Sequence, residues 1–343
     1  MSQNSHELDQ QLDAALVKQA MDLITSARRI ALLAHEHPDG DCLGSALGLA
    51  HILRALGKSC VPACADPPPS FLTFLPASET VVTDLGAEDF DLVIALDAGE
   101  LYRFGPLYER HKRFLDQARI LNIDHHLGGN GCGQINIVDT SAAATAEILV
   151  LFQQQAGLTL PTEAATCLLT GLITDTGSFQ YSNTTARTLE VAAELLRHGA
   201  IPETIVQPIY HSHSLAEMRF QAAIFEQATT ACEGQLIWSW ATSETLARTG
   251  NTANQDGNGS GLLRDIAGVQ IAAFFKNYAD SPDITRLSLR SAEPYNAAEI
   301  CKRLSKGEGG GHARAAGATF HLPLQETMDL VIPALEKELT GHA

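Results

Sequence analysis

Short apolar runs in the first half of the chain lead into polar side chains that bind metals. The runs occupy residues 30–34, 92–96 and 120–123. Buried parallel strands read as such runs, and open α/β sheets bind ligands beyond the carboxyl ends of their strands. The polar side chains after the three runs are His35, Asp39 and Asp41, then Asp97, then Asp124, His125 and His126. We therefore expect three strand ends to meet at one site, which Asp175, after the apolar stretch 168–173, would join.

Strand and helix patterns alternate from residue 30 to about residue 198. Amphipathic helices are predicted at 42–56 and 142–155, and another helical pattern covers 184–197. Alternation of this kind is typical of a doubly wound parallel sheet. The first part of the chain is therefore predicted to be an α/β catalytic domain at residues 1–205.

The second half of the chain has a different pattern. Residues 206–228 look like a helical connecting arm, and strands are predicted at 236–241, 269–275 and 284–290. Residues 251–261 are rich in Asn and Gly and are predicted to form a loop. The expected architecture is a doubly wound parallel sheet domain joined by the arm to a smaller α/β domain at 229–343.

The composition limits the function. The 343 residues include 23 Lys and Arg against 40 Asp and Glu, a formal net charge of −17. An acidic protein repels long phosphate backbones, so we expect no binding to long duplex nucleic acid. The apolar runs are too short for a membrane span, and the start of the chain lacks a signal-peptide pattern. Seven dispersed cysteines without a Cys-x-x-Cys pair indicate a reducing compartment, so we expect a cytoplasmic enzyme with no membrane partner.

A cluster of carboxylates and imidazoles at converging strand ends needs positive charge. Carboxylates brought within a few ångströms repel one another and lose hydration unless they are protonated, paired or bound to a cation. Imidazole and carboxylate ligands without thiolates suit Mn²⁺, Fe²⁺ or Co²⁺, with Mg²⁺ less favoured. The ligands exceed what one ion uses. Two divalent ions about 3.5–4 Å apart, with Mn²⁺ as the expected metal, form the arrangement that hydrolyses phosphoesters.

Five sequence motifs carry a family resemblance over nearly the whole chain. They are His-Glu-His-Pro-Asp-Gly-Asp at 35–41, Asp97, Asp-His-His at 124–126, Thr-Asp-Thr-Gly at 174–177, and Gly-Gly-Gly-His with its continuation at 309–317. Together they resemble the DHH phosphoesterases, with the last motif similar to the signature of the DHH-associated C-terminal domain. The two-domain form without additions is most similar to the branch of bacterial nanoRNases and pAp phosphatases.

The resemblance implies a role for each matching residue. The first metal would be bound by His35 and Asp39, the second by Asp41, His125 and Asp175, and Asp97 would bridge the two. His126 would lie near the scissile phosphate, where it could neutralise charge or protonate the leaving oxygen. The substrate-binding residues implied in the same way are Arg103, Arg290, Gly309, Gly310, Gly311 and His312. Thr145 and Glu147 also match the family, but the sequence indicates no chemical role for them.

Local chemistry adds two expectations. Metal-bound imidazoles usually donate their second N–H to a carboxylate or carbonyl, and Asp124 is the candidate carboxylate for that supporting position in the catalytic set. Gly309, Gly310 and Gly311 would let the backbone approach a phosphate closely, with their N–H groups just before a short helix forming an anion site.

The expected activity is hydrolysis of short oligoribonucleotides and dinucleotides to mononucleotides, and of 3′-phosphoadenosine 5′-phosphate (pAp) to AMP and phosphate. The metals and Asp97 would lower the pKa of a bridging water. The alternatives are a cyclic or linear dinucleotide (c-di-AMP or pApA) phosphodiesterase and a metal-containing nucleotide sensor without turnover. The motif at 309–312 argues against a pyrophosphatase. The sequence leaves the native metal and the oligomeric state, a homodimer included, open.

Overall fold

The computed structural model describes residues 11–86, 89–126, 131–211, 214–251 and 259–341. The chain divides into two units, Met1–Ser212 and His213–Ala343, each with its own hydrophobic cores. Among the described residues, every helix is too short or too polar to traverse a lipid bilayer.

The sheet of the first unit is parallel throughout. Its strands are β1 (Arg29–Ala34), β2 (Ser59–Cys64), β3 (Leu92–Leu96), β4 (Ile120–Asp124) and β5 (Ile135–Val138), in the order β2-β1-β3-β4-β5. Its helices are α1 (Ala14–Ser26), α2 (Gly40–Ala55), α3 (Gly105–Leu115), α4 (Thr145–Gln155), α5 (Thr162–Asp175), α6 (Ala186–Arg197) and α7 (Pro202–Tyr210). The strand order reverses between β1 and β3, and such a switch point opens a crevice at the carboxyl ends of the strands.

Both faces of this sheet are covered, because alternate side chains of each strand enter different cores. Ile30 and Leu32 of β1 pack in the core that contains α1, α2 and α4 to α6. Ala31 and Leu33 pack in the core on the other face, with Leu107 of α3. Residues buried on both sides produce continuous apolar runs instead of an alternating pattern. The prediction of a doubly wound parallel sheet is confirmed.

The helix predicted at 42–56 is present as α2, but it is buried around nearly its whole circumference, so its predicted amphipathic character was wrong. It is buried from Gly40 to Ala50 and again at Ile52 and Leu53, because it lies between the sheet and helices α4 and α5. Three glycines spaced four residues apart, Gly40, Gly44 and Gly48, face α5. Their missing side chains let the two helices approach closely, and this approach positions the start of α2 beside the end of α5.

We expect Gly44→Ala to destabilise the protein. The added methyl group would be pressed against the carbonyl oxygen of Cys167 and would lie 3.1 Å from the Gly171 nitrogen, both backbone atoms of α5. Alanine is the better helix former by about 1 kcal/mol. Overpacking should nevertheless leave a net loss of about 1–3 kcal/mol in the free energy of unfolding, measured by urea denaturation.

Gly48→Ala is the matched control in the same helix. Its methyl group would meet the Leu168 side chain, 2.8 Å away, which can move. A smaller loss is expected there. If Gly44→Ala were as stable as the native protein, the close approach of α2 and α5 would be contradicted.

The second unit contains a six-stranded mixed sheet with helices on both faces. Its strands are β6 (Thr229–Ala231), β7 (Leu236–Thr242), β8 (Ile271–Asn277), β9 (Thr285–Ser291), β10 (Gly309–His312) and β11 (Ala315–Phe320), in the order β10-β11-β9-β8-β7-β6. Its helices are α8 (Leu215–Glu226), α9 (Ser243–Thr249), α10 (Gly259–Arg264), α11 (Ala297–Leu304) and α12 (Leu324–Thr340). One core lies with α11 and α12, the other with α8 to α10. The expected α/β architecture of the second domain is confirmed.

One local prediction in the second unit was wrong, and the end of another was misplaced. Gly309–His312 does not precede a helix: it forms strand β10, which pairs antiparallel with β11 through Gly310 and Gly317. The loop predicted at 251–261 is interrupted, because α10 begins at Gly259. Residues 252–258 of that loop lie outside the described residues. Sequence patterns identify glycine-rich segments well but do not show whether another strand pairs with them.

Candidate metal centre

Three strands of the first sheet deliver polar side chains to the crevice at its switch point. His35 follows β1, Asp97 follows β3, and Asp124 ends β4 immediately before His125. A fourth element contributes as well, because Asp175 is the last residue of helix α5. Parallel strands end at the same edge of a sheet, so these side chains are brought together although they lie far apart in the sequence. The structure therefore assembles the cluster that the apolar runs predict.

On one side of the cluster, His35 lies between two carboxylates. Its Nε2 is 3.4 Å from Asp97 Oδ2 and 3.7 Å from Asp39 Oδ2. Its Nδ1 lies 2.8 Å from the Glu36 carbonyl oxygen, which holds the ring with Nε2 toward the carboxylates. The Cys42 thiol, also buried, accepts a hydrogen bond from the His35 backbone N–H at 2.9 Å. The pKa of His35 is raised: burial opposes the charge, but Asp39 and Asp97 outweigh it.

On the other side, three carboxylates surround His125. Its Nε2 lies 3.3 Å from Asp175 Oδ2, 3.4 Å from Asp97 Oδ1 and 3.9 Å from Asp41 Oδ2. This buried nitrogen nevertheless makes no hydrogen bond to any of the described residues. Nitrogen and oxygen atoms that face a common point without a hydrogen bond between them have the arrangement of ligands around a cation. The His125 imidazole fits such a role.

Asp97 lies at the centre of the cluster. It is 2% exposed, and its two carboxylate oxygens face different histidines, Oδ1 toward His125 and Oδ2 toward His35. Its backbone has a φ of +59°, in the left-handed region that side chains other than glycine rarely adopt. Strain of this kind is found at functional sites where the surrounding structure holds the residue in place. Asp97 therefore has the position that a ligand shared by two cations requires.

The electrostatics of the cluster show a shortage of positive charge. Burial, and then Asp97, hold the pKa of Asp41 well above its usual range, and burial also raises the pKa of Asp175. Burial opposes the charged form of His125, yet Asp175 and Asp97 outweigh it and raise its pKa to about 11. The carboxylates can be ionised together only when positive charge accompanies them. Divalent cations would supply that charge in place of protons, so the donor set fits them.

Asp41 is fixed by the start of a helix distant in sequence. It is fully buried, and its carboxylate accepts the backbone N–H groups of Thr145 at 2.6 Å and Ala146 at 2.9 Å. The first N–H groups of a helix have no acceptor within that helix, and the N-cap residue of α4 offers no side-chain hydrogen bond. Gly171 of α5 leaves the necessary space, since a Cβ there would lie 2.5 Å from Asp41 Oδ1. Helix α4 therefore orients a candidate ligand on α2.

Thr145 acquires a role that the sequence did not indicate. Its hydroxyl donates to Asp97 Oδ1 at 2.9 Å, while its backbone N–H holds Asp41. One residue thus orients two of the central carboxylates. The motif match pointed to the position, but only the fold shows that Thr145 reaches across 48 residues to Asp97.

We expect Thr145→Val to weaken metal binding and turnover by about 10- to 100-fold, the usual effect of losing a partner that orients a ligand. Valine keeps the shape and the backbone N–H to Asp41 but lacks the hydroxyl that bonds to Asp97. The measurements are a metal titration and kcat/KM at saturating metal. Thr145→Ser retains the hydroxyl and should remain close to the native protein. Equal metal affinity for the valine and serine variants would contradict this role.

Asp124 orients His126, whereas the sequence analysis expected it to support an imidazole that binds a metal. Asp124 Oδ1 accepts from His126 Nδ1 at 2.8 Å and from the His126 backbone N–H at 3.2 Å. The nearest partner of His125 Nδ1 is the Ala142 carbonyl oxygen, at 3.4 Å. Adjacent residues at a strand end point in different directions, so the neighbour two positions away, not the next one, meets the Asp124 carboxylate. The hydrogen bond to the Asp124 carboxylate is the main reason that the pKa of His126 is raised.

A second buried network lies behind the candidate ligands, and sequence reasoning missed it. Glu147 of α4 is fully buried and accepts from Arg187 Nε at 2.6 Å and Thr188 Oγ1 at 2.8 Å, both on α6. Asn183 donates to the carbonyl oxygens of Ala143, at 3.2 Å, and Asp175, at 3.1 Å. The network joins α4 and α6 to the end of α5. An apolar helix containing one glutamate was the available signal, because a buried carboxylate needs a partner.

The candidate substrate-binding residues lie in both units. Arg103 is exposed in a short 3₁₀ turn, Leu101–Phe104, and its carbonyl oxygen accepts the Glu36 N–H at 3.0 Å, next to His35. Arg290 is half-buried on β9, opposite Ala315 of β11. Gly309, Gly310, Gly311 and His312 form β10 in the same sheet. Arg290 and the glycine strand β10 therefore lie in the same sheet, separated by the single strand β11.

The fold and the site together define a class of protein. A doubly wound sheet that presents aspartates and histidines at its switch point, followed by a second α/β unit, is the construction of a hydrolase that binds divalent cations.

Comparison with known proteins identifies the family. Residues 29–172 match the DHH family, N-terminal domain, and residues 242–340 match the DHHA1 domain. The bifunctional oligoribonuclease and PAP phosphatase NrnA of Thermus thermophilus is 32% identical over 317 residues, 91% of this chain and 90% of that protein. The NrnA protein of Bacillus subtilis is 30% identical over 296 residues, 85% of this chain and 89% of its own length. The chain therefore belongs to the DHH family of phosphoesterases, which confirms the prediction from its motifs.

A solved structure supports the fold. An exopolyphosphatase-related protein from Bacteroides fragilis has a TM-score of 0.82 with this chain at 23% identity, covering 95% of this chain and 97% of its own. At that identity the likeness concerns the fold alone. It covers nearly the whole length of both chains, so the combination of a parallel-sheet unit and a mixed-sheet unit is shared.

Proposed function

We propose that this protein hydrolyses short oligoribonucleotides, dinucleotides included, to mononucleotides, and converts pAp to AMP and phosphate. The observation that carries the proposal is the convergence of His35 and His125 on Asp97 at the switch point, with Asp41 beside His125. The relatives from Thermus thermophilus and Bacillus subtilis are named for both activities. Short substrates also suit a chain with a net charge of −17, which would repel long phosphate backbones.

Two divalent cations, Mn²⁺ by preference, would be held by the clustered side chains. His35 and Asp39 would bind the first cation, Asp41, His125 and Asp175 the second, and Asp97 both. Imidazole nitrogen with carboxylate oxygen suits Mn²⁺, Co²⁺ or Fe²⁺ better than Mg²⁺. When bound, such a pair supplies Lewis acidity and a nucleophile at neutral pH.

The protein's own residues would orient the substrate and move a proton. The Asp124 carboxylate holds His126 through Nδ1 and leaves Nε2 for the substrate. His126 is about half exposed, so a phosphate at the cluster can reach it, and Nε2 can give its proton to the leaving oxygen. Arg103 would contact the substrate beside His35. Arg290, Gly309, Gly310, Gly311 and His312 would bind the distal phosphate.

The test is a substrate panel with the purified full-length protein and Mn²⁺. The panel contains pAp, the linear dinucleotide pApA, a five-nucleotide RNA, cyclic di-AMP and pyrophosphate. We expect AMP from pApA and pAp, mononucleotides from the short RNA, loss of activity with a chelator, and recovery with Mn²⁺. Turnover of cyclic di-AMP alone would favour the cyclic dinucleotide phosphodiesterase. Tight binding of a nucleotide without any product would favour a sensor.

Contaminating nucleases are excluded by an Asp97→Asn variant purified in the same way. Its preparation should lack the activity, although the protein elutes and folds as the native one does. The same samples, compared by size-exclusion chromatography, test whether the protein forms the homodimer that the sequence leaves open.

A further inference from the structure

The segment after Asp175 has an unusual backbone. Three consecutive residues, Gly177, Ser178 and Phe179, have φ values of +55°, +59° and +65°. Left-handed conformation is unfavourable for side chains other than glycine and rarely continues over several residues. A segment of this kind persists only where the surroundings hold it. Hydrogen bonds to the turn must therefore hold this backbone in place. A fixed turn also determines the positions of the side chains that follow it.

Thr176 holds the turn in place. Its carbonyl oxygen accepts the N–H groups of Gln180, at 2.9 Å, and Tyr181, at 3.0 Å. Its buried hydroxyl accepts the Phe179 N–H at 3.0 Å and donates to the Leu172 carbonyl oxygen at 2.6 Å. These bonds connect the turn to the last residues of α5. The position of Tyr181 is therefore tied directly to the helix end that carries Asp175.

The Tyr181 ring lies flat on Gly177. The atoms nearest to a Cβ built on Gly177 are ring atoms Cζ, Cε1 and Cε2, the last two at 2.6 and 2.7 Å. Both Cε atoms are hardly farther from that Cβ than Cζ is, which places the Cβ over the face of the ring, because an approach in the plane of the ring would leave them well beyond 3 Å. Any side chain at position 177 would displace the ring. Tyr181 is 62% exposed, so the ring face away from Gly177 is open to solvent.

The Tyr181 ring is attached to the segment that directly follows Asp175, a residue of the candidate metal centre. The ring covers Gly177, which is two positions after Asp175. The Asp175 carboxylate lies 3.3 Å from His125 Nε2. Asn183, two residues after Tyr181, donates to the Asp175 carbonyl oxygen at 3.1 Å, so both ends of the segment are attached to the site. A nucleotide with its phosphate at the metals has its base within one nucleotide's length of that phosphate. Two residues of chain span at most about 7 Å, so the ring that lies against Gly177 is within a comparable distance of Asp175, and we expect the base of such a nucleotide to reach it.

We infer that Tyr181 stacks on the base of the nucleotide whose phosphate reacts, and so makes the site selective for nucleotides over phosphoesters without a base. The inference rests on the proposed function. A tyrosine face accepts any base, since every base has a π-face, and a purine covers more of it than a pyrimidine. This specificity-determining residue requires no hydrogen bond to the base, in agreement with an enzyme that degrades RNA of mixed sequence.

The kinetic test compares substrates with and without bases. Tyr181→Leu should lower kcat/KM for pApA by about 10- to 100-fold, the usual contribution of one stacked base. It should leave an abasic dinucleotide with the same phosphates within about threefold of the native rate. Tyr181→Phe should behave as the native protein, because the ring remains. Tyr210→Leu removes a tyrosine that is 37% exposed at the end of α7, and it should leave kcat/KM unchanged for both substrates.

A binding test is independent of turnover. Tyr181→Trp should show fluorescence quenching when AMP is added in the presence of Mn²⁺, and none with inorganic phosphate. Equal losses for pApA and the abasic substrate in Tyr181→Leu, or no quenching by AMP, would overturn the inference while leaving the proposed function intact. If the native protein hydrolysed no substrate of the panel, the proposed function would fail, and the fluorescence titration would still decide whether Tyr181 contacts a base.

Discussion

Asp97→Ala is expected to reduce kcat for a dinucleotide by about a thousandfold or more, which corresponds to at least about 4 kcal/mol of transition-state stabilisation. The Asp97 carboxylate faces both His35 and His125, and Thr145 donates to it as well. Its removal would deprive both candidate cation sites of a ligand and leave the remaining carboxylates less compensated. The measurements are steady-state kinetics in buffer of defined Mn²⁺ concentration and metal content by mass spectrometry.

Two further variants separate the causes of that loss. Asp97→Asn removes the charge but keeps a residue type that tolerates the left-handed backbone at this position, so it should fold normally and remain inactive. Asp22→Ala removes an exposed carboxylate of α1 that pairs with Lys18 on the surface, and it should retain full activity. A rate for Asp97→Asn within threefold of the native one, with unchanged metal content, would refute the central position assigned to this carboxylate.

Glu147→Ala is expected to lower the free energy of unfolding by about 3–5 kcal/mol, the usual cost of removing one partner of a buried ion pair. Glu147 is fully buried, and Arg187, whose side chain is 10% exposed, loses its partner on α4 while retaining Asp139 at 2.9 Å. The hydroxyl of Thr188 loses its acceptor too. Urea denaturation with Mn²⁺ removed measures the effect without the contribution of metal binding.

Glu194→Ala provides the comparison on the surface of the neighbouring helix. Glu194 pairs with Arg197 at 2.8 Å, but both side chains are solvent-accessible, so the loss should be below about 1 kcal/mol. If the two variants were equally stable, the buried network would not hold α4 to α6. Because α4 also orients Asp41 and Asp97, we expect Glu147→Ala to weaken Mn²⁺ binding, whereas Glu194→Ala should not.

The sequence predicted the fold class and the composition of the candidate site for a physical reason. Strands buried on both faces must be apolar along their whole length, so the run at 92–96 predicts β3. Parallel strands then place the residues after their carboxyl ends at one edge of the sheet. His35, Asp97 and His125 could be assigned to the same edge on that ground alone, without any distance between them.

Predictions that depended on the partners of a segment were the ones that failed. Helix α2 was predicted to be amphipathic, but the glycines facing α5 allow it to be buried on nearly all sides. Gly309–His312 reads as a loop before a helix, yet it pairs with β11. Asp124 stands next to His125 in sequence and bonds to His126. In each case the local pattern was compatible with more than one neighbour.

By itself, the amino-acid sequence determined the family, the parallel sheet and the side chains at its edge. Strands buried on both faces are visible as apolar runs of consecutive residues, and the polar residues that follow each run lie at the same edge. Only the tertiary structure decided how those side chains are held. The bond from the Thr145 N–H to Asp41 joins positions 104 residues apart, and Glu147 meets Arg187 across 40 residues. Such partners are selected by the packing of α4 against α2 and α6, and that packing depends on the whole chain at once.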